Sequence, residues 1–149
     1  MAKRILVPLD QSRVAETVVP LVAGIARGGG AAVRLVLVAP VPQNRVGEDG
    51  RVVAYADQEM ARLEAEGLDY LRTVQMQFGG AGDVACVVRF GDPVAEILRE
   101  AEAFGADLIV VTTEGRSAVG RTVLGSVAEQ VVRKADAPVI LMRPGRQGL

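Results

Sequence analysis

The sequence predicts a doubly wound α/β domain, and three observations carry that expectation. Five short apolar runs alternate with four segments of helical periodicity, in the order β-α-β-α-β-α-β-α-β. The runs are apolar at consecutive positions rather than at every second one, as in strands buried on both faces of a parallel sheet with helices on either side. Aromatic residues are 3% of the chain against 50% hydrophobic, with no Trp, so the core must be Val, Leu, Ile and Ala, a set suited to a helix-covered sheet. At 149 residues the expectation is one domain over residues 1–149, long enough to bury most of its apolar surface. No repeat or low-complexity segment interrupts it.

Lys3 to Leu9 reads as a buried strand ending at Asp10-Gln11-Ser12. Arg13 to Arg27 has helical character, with Ser12 as N-cap and Gly28 to Gly30 as the stop. Pro20 lies inside it and either kinks the helix or marks a later start. Ala32 to Val38 is the second strand, and Ala39 to Arg51, with two prolines, two glycines and Asn44, shows no periodicity and reads as a loop. Met60, Leu63, Leu68, Leu71, Val74 and Phe78 then recur at helical spacing, with Glu59, Arg62, Glu64, Asp69 and Arg72 on the opposite face, until Gly79-Gly80. Val84 to Arg89 is the third strand. Asp92 is an N-cap with Pro93 at the first helical position, and Val94, Ile97, Leu98 and Ala101 form the buried stripe behind it. Leu108 to Val111 is the fourth strand, Val127 to Ala135 the fourth helix and Pro138 to Met142 the last strand. Residues 144–149 read as a fraying tail.

Composition removes whole classes of function. The chain has no histidine, so a Ser-His-Asp triad, a His general base and any His metal site are excluded. Its single cysteine, Cys86, excludes an internal disulfide and a multi-Cys zinc site, fits a reducing cytoplasm, and reads as a small packed hydrophobe rather than a reactive thiol. Seventeen basic against eighteen acidic residues leave no net field for a nucleic acid or an anionic membrane. No apolar run approaches the 18 or so residues of a spanning helix, and no secretory pattern opens the chain.

In a sheet of this kind ligands sit beyond the carboxyl ends of the strands. Two loops stand out there: Pro8 to Ser12 after the first strand, and Thr112 to Gln130 after the fourth. In the second, Gly115 lets backbone amides approach a ligand, Gly125-Ser126 presents the free N–H groups of the following helix, and Arg116 and Arg121 add positive charge. Amides and helix dipole together favour a phosphate. The P-loop pattern is absent, since no Lys follows a glycine at the required position. A structural reading competes at each site. Ser126-Val127-Ala128-Glu129 has the S-x-x-E form of a capping box, the glycines serve equally as turn residues, and Asp10 serves equally as a cap. Residue chemistry alone leaves both readings standing.

The spacing of Gly115, nine residues, then Gly125-Ser126, after a strand and leading into Val127 to Met142, resembles the universal stress protein family. Ile5 to Asp10 with Ser12, and Gly91-Asp92-Pro93 before the third helix, are similar to that family's other signatures, so the likeness covers essentially the whole chain. It implies a Rossmann-like five-stranded parallel sheet ordered 3-2-1-4-5 and a homodimer formed through Val139 to Met142. In one branch of the family it implies ATP or AMP, with any Mg2+ carried by the phosphates, between the first and fourth strands. Carried over, the motif G-x2-G-x9-G-[S/T] places its second and third glycines on Gly115 and Gly125 and its hydroxyl on Ser126. Asp10 and Val38 match positions that hold adenosine, and Val127 continues the phosphate-binding helix start. The first glycine of the motif falls on Thr112. A β-branched residue is strongly disfavoured there if the position needs φ > 0, and merely narrows the site if it is extended. Glu114, next to a triphosphate, must face solvent or a cation.

Three functions follow from these residues: a nucleotide-binding regulator of the stress response, a dimeric interaction module without nucleotide, and a slow ATPase whose only available bases are carboxylates such as Asp10 or Glu114.

Overall fold

The computed structural model describes residues 2–43, 45–50, 52–113 and 126–143. Five strands form a parallel sheet: β1 (Arg4–Leu9), β2 (Ala32–Ala39), β5 (Asp83–Phe90), β6 (Leu108–Thr112) and β7 (Val139–Met142). Their order is β5-β2-β1-β6-β7, which is 3-2-1-4-5 counted along the chain. The chain winds outward from β1 through β2 to β5, then crosses back over both to place β6 on the other side of β1. That reversal opens a crevice at the carboxyl ends of β1 and β6.

The two faces of the sheet are covered by different helices. Ile5, Val7 and Leu9 of β1 pack with Val33, Leu35 and Leu37 of β2 under α1 (Val19–Gly29) and α2 (Ala56–Met76). Leu6, Val36, Ile109 and Val111 lie on the other face under α3 (Pro93–Phe104) and α4 (Ser126–Lys134). Because successive strand residues point to opposite sides, both sets must be apolar, and this is why the runs show no alternation. None of the described helices is long and apolar enough to cross a membrane.

Two expectations are revised. Pro20 occupies the first turn of α1, where its missing N–H costs nothing, and a 3-10 turn, Ala15–Val18, precedes it. The helical stretch from Arg13 is therefore two pieces, the second starting at Val19. The segment expected to be a loop also contains a short antiparallel hairpin, β3 (Arg45–Val46) with β4 (Val52–Ala54), turned by a Gly50 N–H to Gly47 carbonyl bond of 3.0 Å. Strands of two and three residues are too short to leave a periodicity. α2 ends before Phe78, which is nonetheless 1% exposed in the turn that Gly79 and Gly80 complete at φ 57° and 83°. Asp92 caps α3 as expected, its carboxylate accepting the Ala95 N–H at 2.9 Å. The tail 144–149 lies outside the described residues.

Candidate functional site

The site is built first from the loop that leaves β1. Asp10 Oδ1 accepts the Ser12 N–H at 3.0 Å and the Ser12 hydroxyl at 2.5 Å, closing an Asx turn. Gln11, between them, is held at φ 68°, a left-handed conformation that costs a residue with a Cβ about 1 kcal/mol. The Ser12 hydroxyl oxygen in turn accepts the N–H of Ala15, the first residue of the 3-10 turn, at 3.1 Å. Ser12 thus bonds the start of that turn, and Asp10 organises the loop rather than capping a helix directly.

Two further strand ends flank this turn. Leu9 pairs with Leu37, which brings Val38 level with Asp10 on one side, and Pro8 pairs with Val36. On the other side β6 pairs with β1 at Ile5–Leu108 and Leu6–Ile109, and Thr112 closes that strand at its carboxyl end. Thr112 is extended, pairs with Met142 and is 8% exposed; Gln11 is the one described non-glycine residue at positive φ. The threonine at the motif's first glycine position therefore carries no backbone strain.

Ser126 and Val127 open α4, the serine exposed and the valine half-buried against the α3/α4 core. Ser126 is itself the first helical residue, and Glu129 pairs forward with Arg133 at 2.7 Å, one turn on. This is an i,i+4 helix pair rather than the reciprocal capping box expected from S-x-x-E. A helix start lacks intrahelical partners for its first N–H groups, which leaves it suited to an anion. Gly115, Arg116 and Gly125, with Glu114 and Arg121, lie outside the described residues. Of the ten expected site residues the structure thus gathers Pro8, Asp10, Ser12, Val38 and Thr112 at the carboxyl edge of the sheet.

Two polar clusters are not evident from the sequence. Glu16, in the 3-10 turn, accepts the Tyr70 hydroxyl at 2.8 Å and Gln77 Nε2 at 3.1 Å. Burial, then the negative charges of Glu16 and Asp10, push the Tyr70 phenol well above its ordinary range. On the opposite face Glu100, 3% exposed, accepts from Arg34 and from Arg89, each at 2.7 Å; Arg89 also reaches Glu96 at 3.0 Å, and Arg99 pairs with Glu96. Burial alone would raise the Glu100 carboxyl, but the two guanidiniums outweigh it and hold it low. Arg34 also stacks over the Phe104 ring at 4.3 Å. Only a partial signal exists: Arg34 and Arg89 interrupt apolar strands, while Glu96 and Glu100 sit four apart on one helix face. Cys86 behaves as packing, its thiol raised by burial and 3.6 Å from Gln75 Oε1.

A parallel sheet that reverses beside an Asx turn, with a helix start following the neighbouring strand, defines a doubly wound domain of the kind that takes ligands at its switch point. The chain belongs to the universal stress protein family, whose family profile matches residues 1–143. A putative universal stress protein of Staphylococcus aureus strain USA300 is 30% identical over 142 residues, 95% of this chain and 84% of that protein. One from Thermus aquaticus is 35% identical over 86 residues, 58% of this chain and 63% of its own length. Two from Methanocaldococcus jannaschii, MJ0531 and MJ0577, are matched over 31% and 51% of their lengths, so with three of the curated relatives the match covers less than two thirds of the relative. The solved structure of MJ0577 superposes with a TM-score of 0.82 at 25% identity, covering 97% of this chain and 98% of that one. The universal stress protein of Archaeoglobus fulgidus in complex with dAMP superposes with a TM-score of 0.62 at 26% identity, covering 93% and 96%.

Proposed function

We propose that this chain binds an adenine nucleotide, ATP or AMP, at the carboxyl edge between β1 and β6, and serves as a cytoplasmic, homodimeric regulator in the stress response. The observation that carries the reading is the extended, unstrained Thr112 at the carboxyl end of β6, because the one departure from the nucleotide motif then brings no backbone strain of its own. A family member of 26% identity solved with dAMP supports the ligand class. In this reading Asp10 and Val38 hold adenosine, and Pro8 and Ser12 shape the loop beneath it. Gly115, Arg116, Gly125, Ser126 and Val127 hold the phosphates through amides, a guanidinium and the α4 dipole, with any Mg2+ carried by the phosphates. The chain's own part is to bind and orient the nucleotide.

Self-association is proposed through β7, an edge of the sheet that presents Leu141 37% exposed and carries no charge from Val139 to Met142. An apolar edge of this kind favours pairing with another strand.

A titration with ATP and AMP, with and without Mg2+, tests the proposal by thermal shift and calorimetry. Saturation at a hundredfold over Kd adds about 2.7 kcal/mol, several degrees of Tm for a domain of this size. A flat response to every adenylate would leave the dimeric interaction module as the function.

A further inference from the structure

The turn that carries Asp10 is fastened to a second element. Ser12 accepts the first N–H of the 3-10 turn Ala15–Val18, and both oxygens of Glu16 in that turn are tied to α2 and its C-terminal end, Oε2 by the Tyr70 hydroxyl and Oε1 by Gln77 Nε2. A continuous line of directional bonds therefore runs from Asp10 through Ser12, the Ala15 amide and Glu16 to Tyr70. α2 is a firm anchor, since Leu71 and Val74 are fully buried and Gly67 lies so close to Leu37 and Val88 that a Cβ there would meet each at 2.9 Å.

Within the 3-10 turn Thr17 donates its N–H and hydroxyl back to the Val14 carbonyl at 3.1 and 2.6 Å, while Ala15 and Val18 are buried at 7% and 1% exposure. Apolar contacts fix depth but are non-directional, whereas hydrogen bonds fix orientation. The upstream turn also holds Gln11 in a left-handed conformation, which persists only when its surroundings over-determine it. Tyr70 is half-buried, and its phenol, held far above its ordinary range, stays a neutral donor at every physiological pH.

We infer that Tyr70 is a positioning residue for the nucleotide site: by fixing Glu16 it sets the orientation of the Asp10–Ser12 turn and with it the affinity for the adenosine half of the ligand. The inference rests on the nucleotide reading above. It adds a residue about sixty positions away in sequence from the loop it orients, with no contact to the ligand required.

The test is calorimetry with ATP, adenosine and inorganic tripolyphosphate on the full chain and on Tyr70→Phe, Glu16→Gln and Glu16→Ala, with circular dichroism to confirm folding. Tyr70→Phe is expected to weaken ATP and adenosine about tenfold each, the loss of one charge-assisted hydrogen bond, and to leave tripolyphosphate unchanged. Glu16→Ala should match it. Glu16→Gln, which keeps an acceptor for the phenol, should stay nearer to the parent chain than to Glu16→Ala. Parent-like affinity for ATP and adenosine in Tyr70→Phe and Glu16→Ala overturns the inference and leaves the nucleotide reading intact. So does an equal loss for tripolyphosphate, or a Glu16→Gln as weak as Glu16→Ala. If the parent chain binds no adenylate, the nucleotide reading falls first and takes this one with it.

Discussion

Replacing Glu100 by alanine tests how the α3 face of the sheet is held. The carboxylate sits 3% exposed between the Arg34 and Arg89 guanidiniums, both at 2.7 Å, and Arg34 Nε is already buried without a hydrogen-bond partner. Removing the shared acceptor takes the carboxylate from Arg34 and leaves Arg89 with Glu96 at 3.0 Å, and breaking a fully buried pair costs about 3–5 kcal/mol. The arginine side chains keep 29% and 26% of their exposure, so water recovers part of that loss and about 2–3 kcal/mol remains at neutral pH. For a domain of this length that is a fall in Tm of about 5–10 °C. Acid should erase the difference. The folded pKa of Glu100 lies below its unfolded value, so its contribution is whole above an unfolded pKa of about 4.3 and is lost as pH falls through the folded one. Urea and thermal melts of the parent chain, Glu100→Ala, Arg89→Ala and the double variant, at pH 7 and through the acid range, give both quantities. The double-mutant cycle at pH 7 should return a coupling above about 1 kcal/mol. A Glu100→Ala chain within about 0.5 kcal/mol of the parent at pH 7 would refute the reasoning, as would a deficit that persists unchanged in acid.

Three further outcomes are expected. Asp92→Ala removes the acceptor for the Ala95 N–H at 2.9 Å and should cost about 1 kcal/mol in urea unfolding, with Asp92→Asn or Asp92→Ser recovering most of it. Leu141→Arg places a charge on the exposed β7 edge and, under the proposed pairing through β7, should shift sedimentation from dimer to monomer while the circular dichroism spectrum stays that of the folded chain. Gly125→Val should weaken ATP in calorimetry more than it lowers the apo melting temperature; the opposite ranking would make this glycine a turn residue only.

The expected residues of the crevice were legible to different degrees. Asp10 and Ser12 were visible because polar residues closing an apolar run mark where a strand ends and a helix begins, and strand ends are where ligands sit. What those side chains do was not visible. By sequence Asp10 serves equally as a cap, and in the folded chain it closes an Asx turn around a left-handed Gln11, a conformation that a glutamine's propensities disfavour. Thr112 raised a question that only its pairing with Met142 answered, since that contact fixes the residue as extended. Ser126 and Glu129 have the spacing of a capping box, whereas in the folded chain Glu129 turns forward to Arg133.

The sequence by itself determined the class of the domain, the number of main strands, their parallel burial and most helix limits, because apolar periodicity, caps and breakers act over a few neighbouring residues. Tertiary structure alone decided which distant charges share a face. Arg34 and Arg89 meet Glu96 and Glu100 only because β2 pairs with β5 beneath α3, and Glu16 meets Tyr70 only because α2 packs beside the turn after β1. Buried ionic and hydrogen-bonded contacts of this sort are set by geometry across the sheet, where Coulomb attraction and desolvation are balanced over a few ångströms, and that distance has no counterpart along the chain.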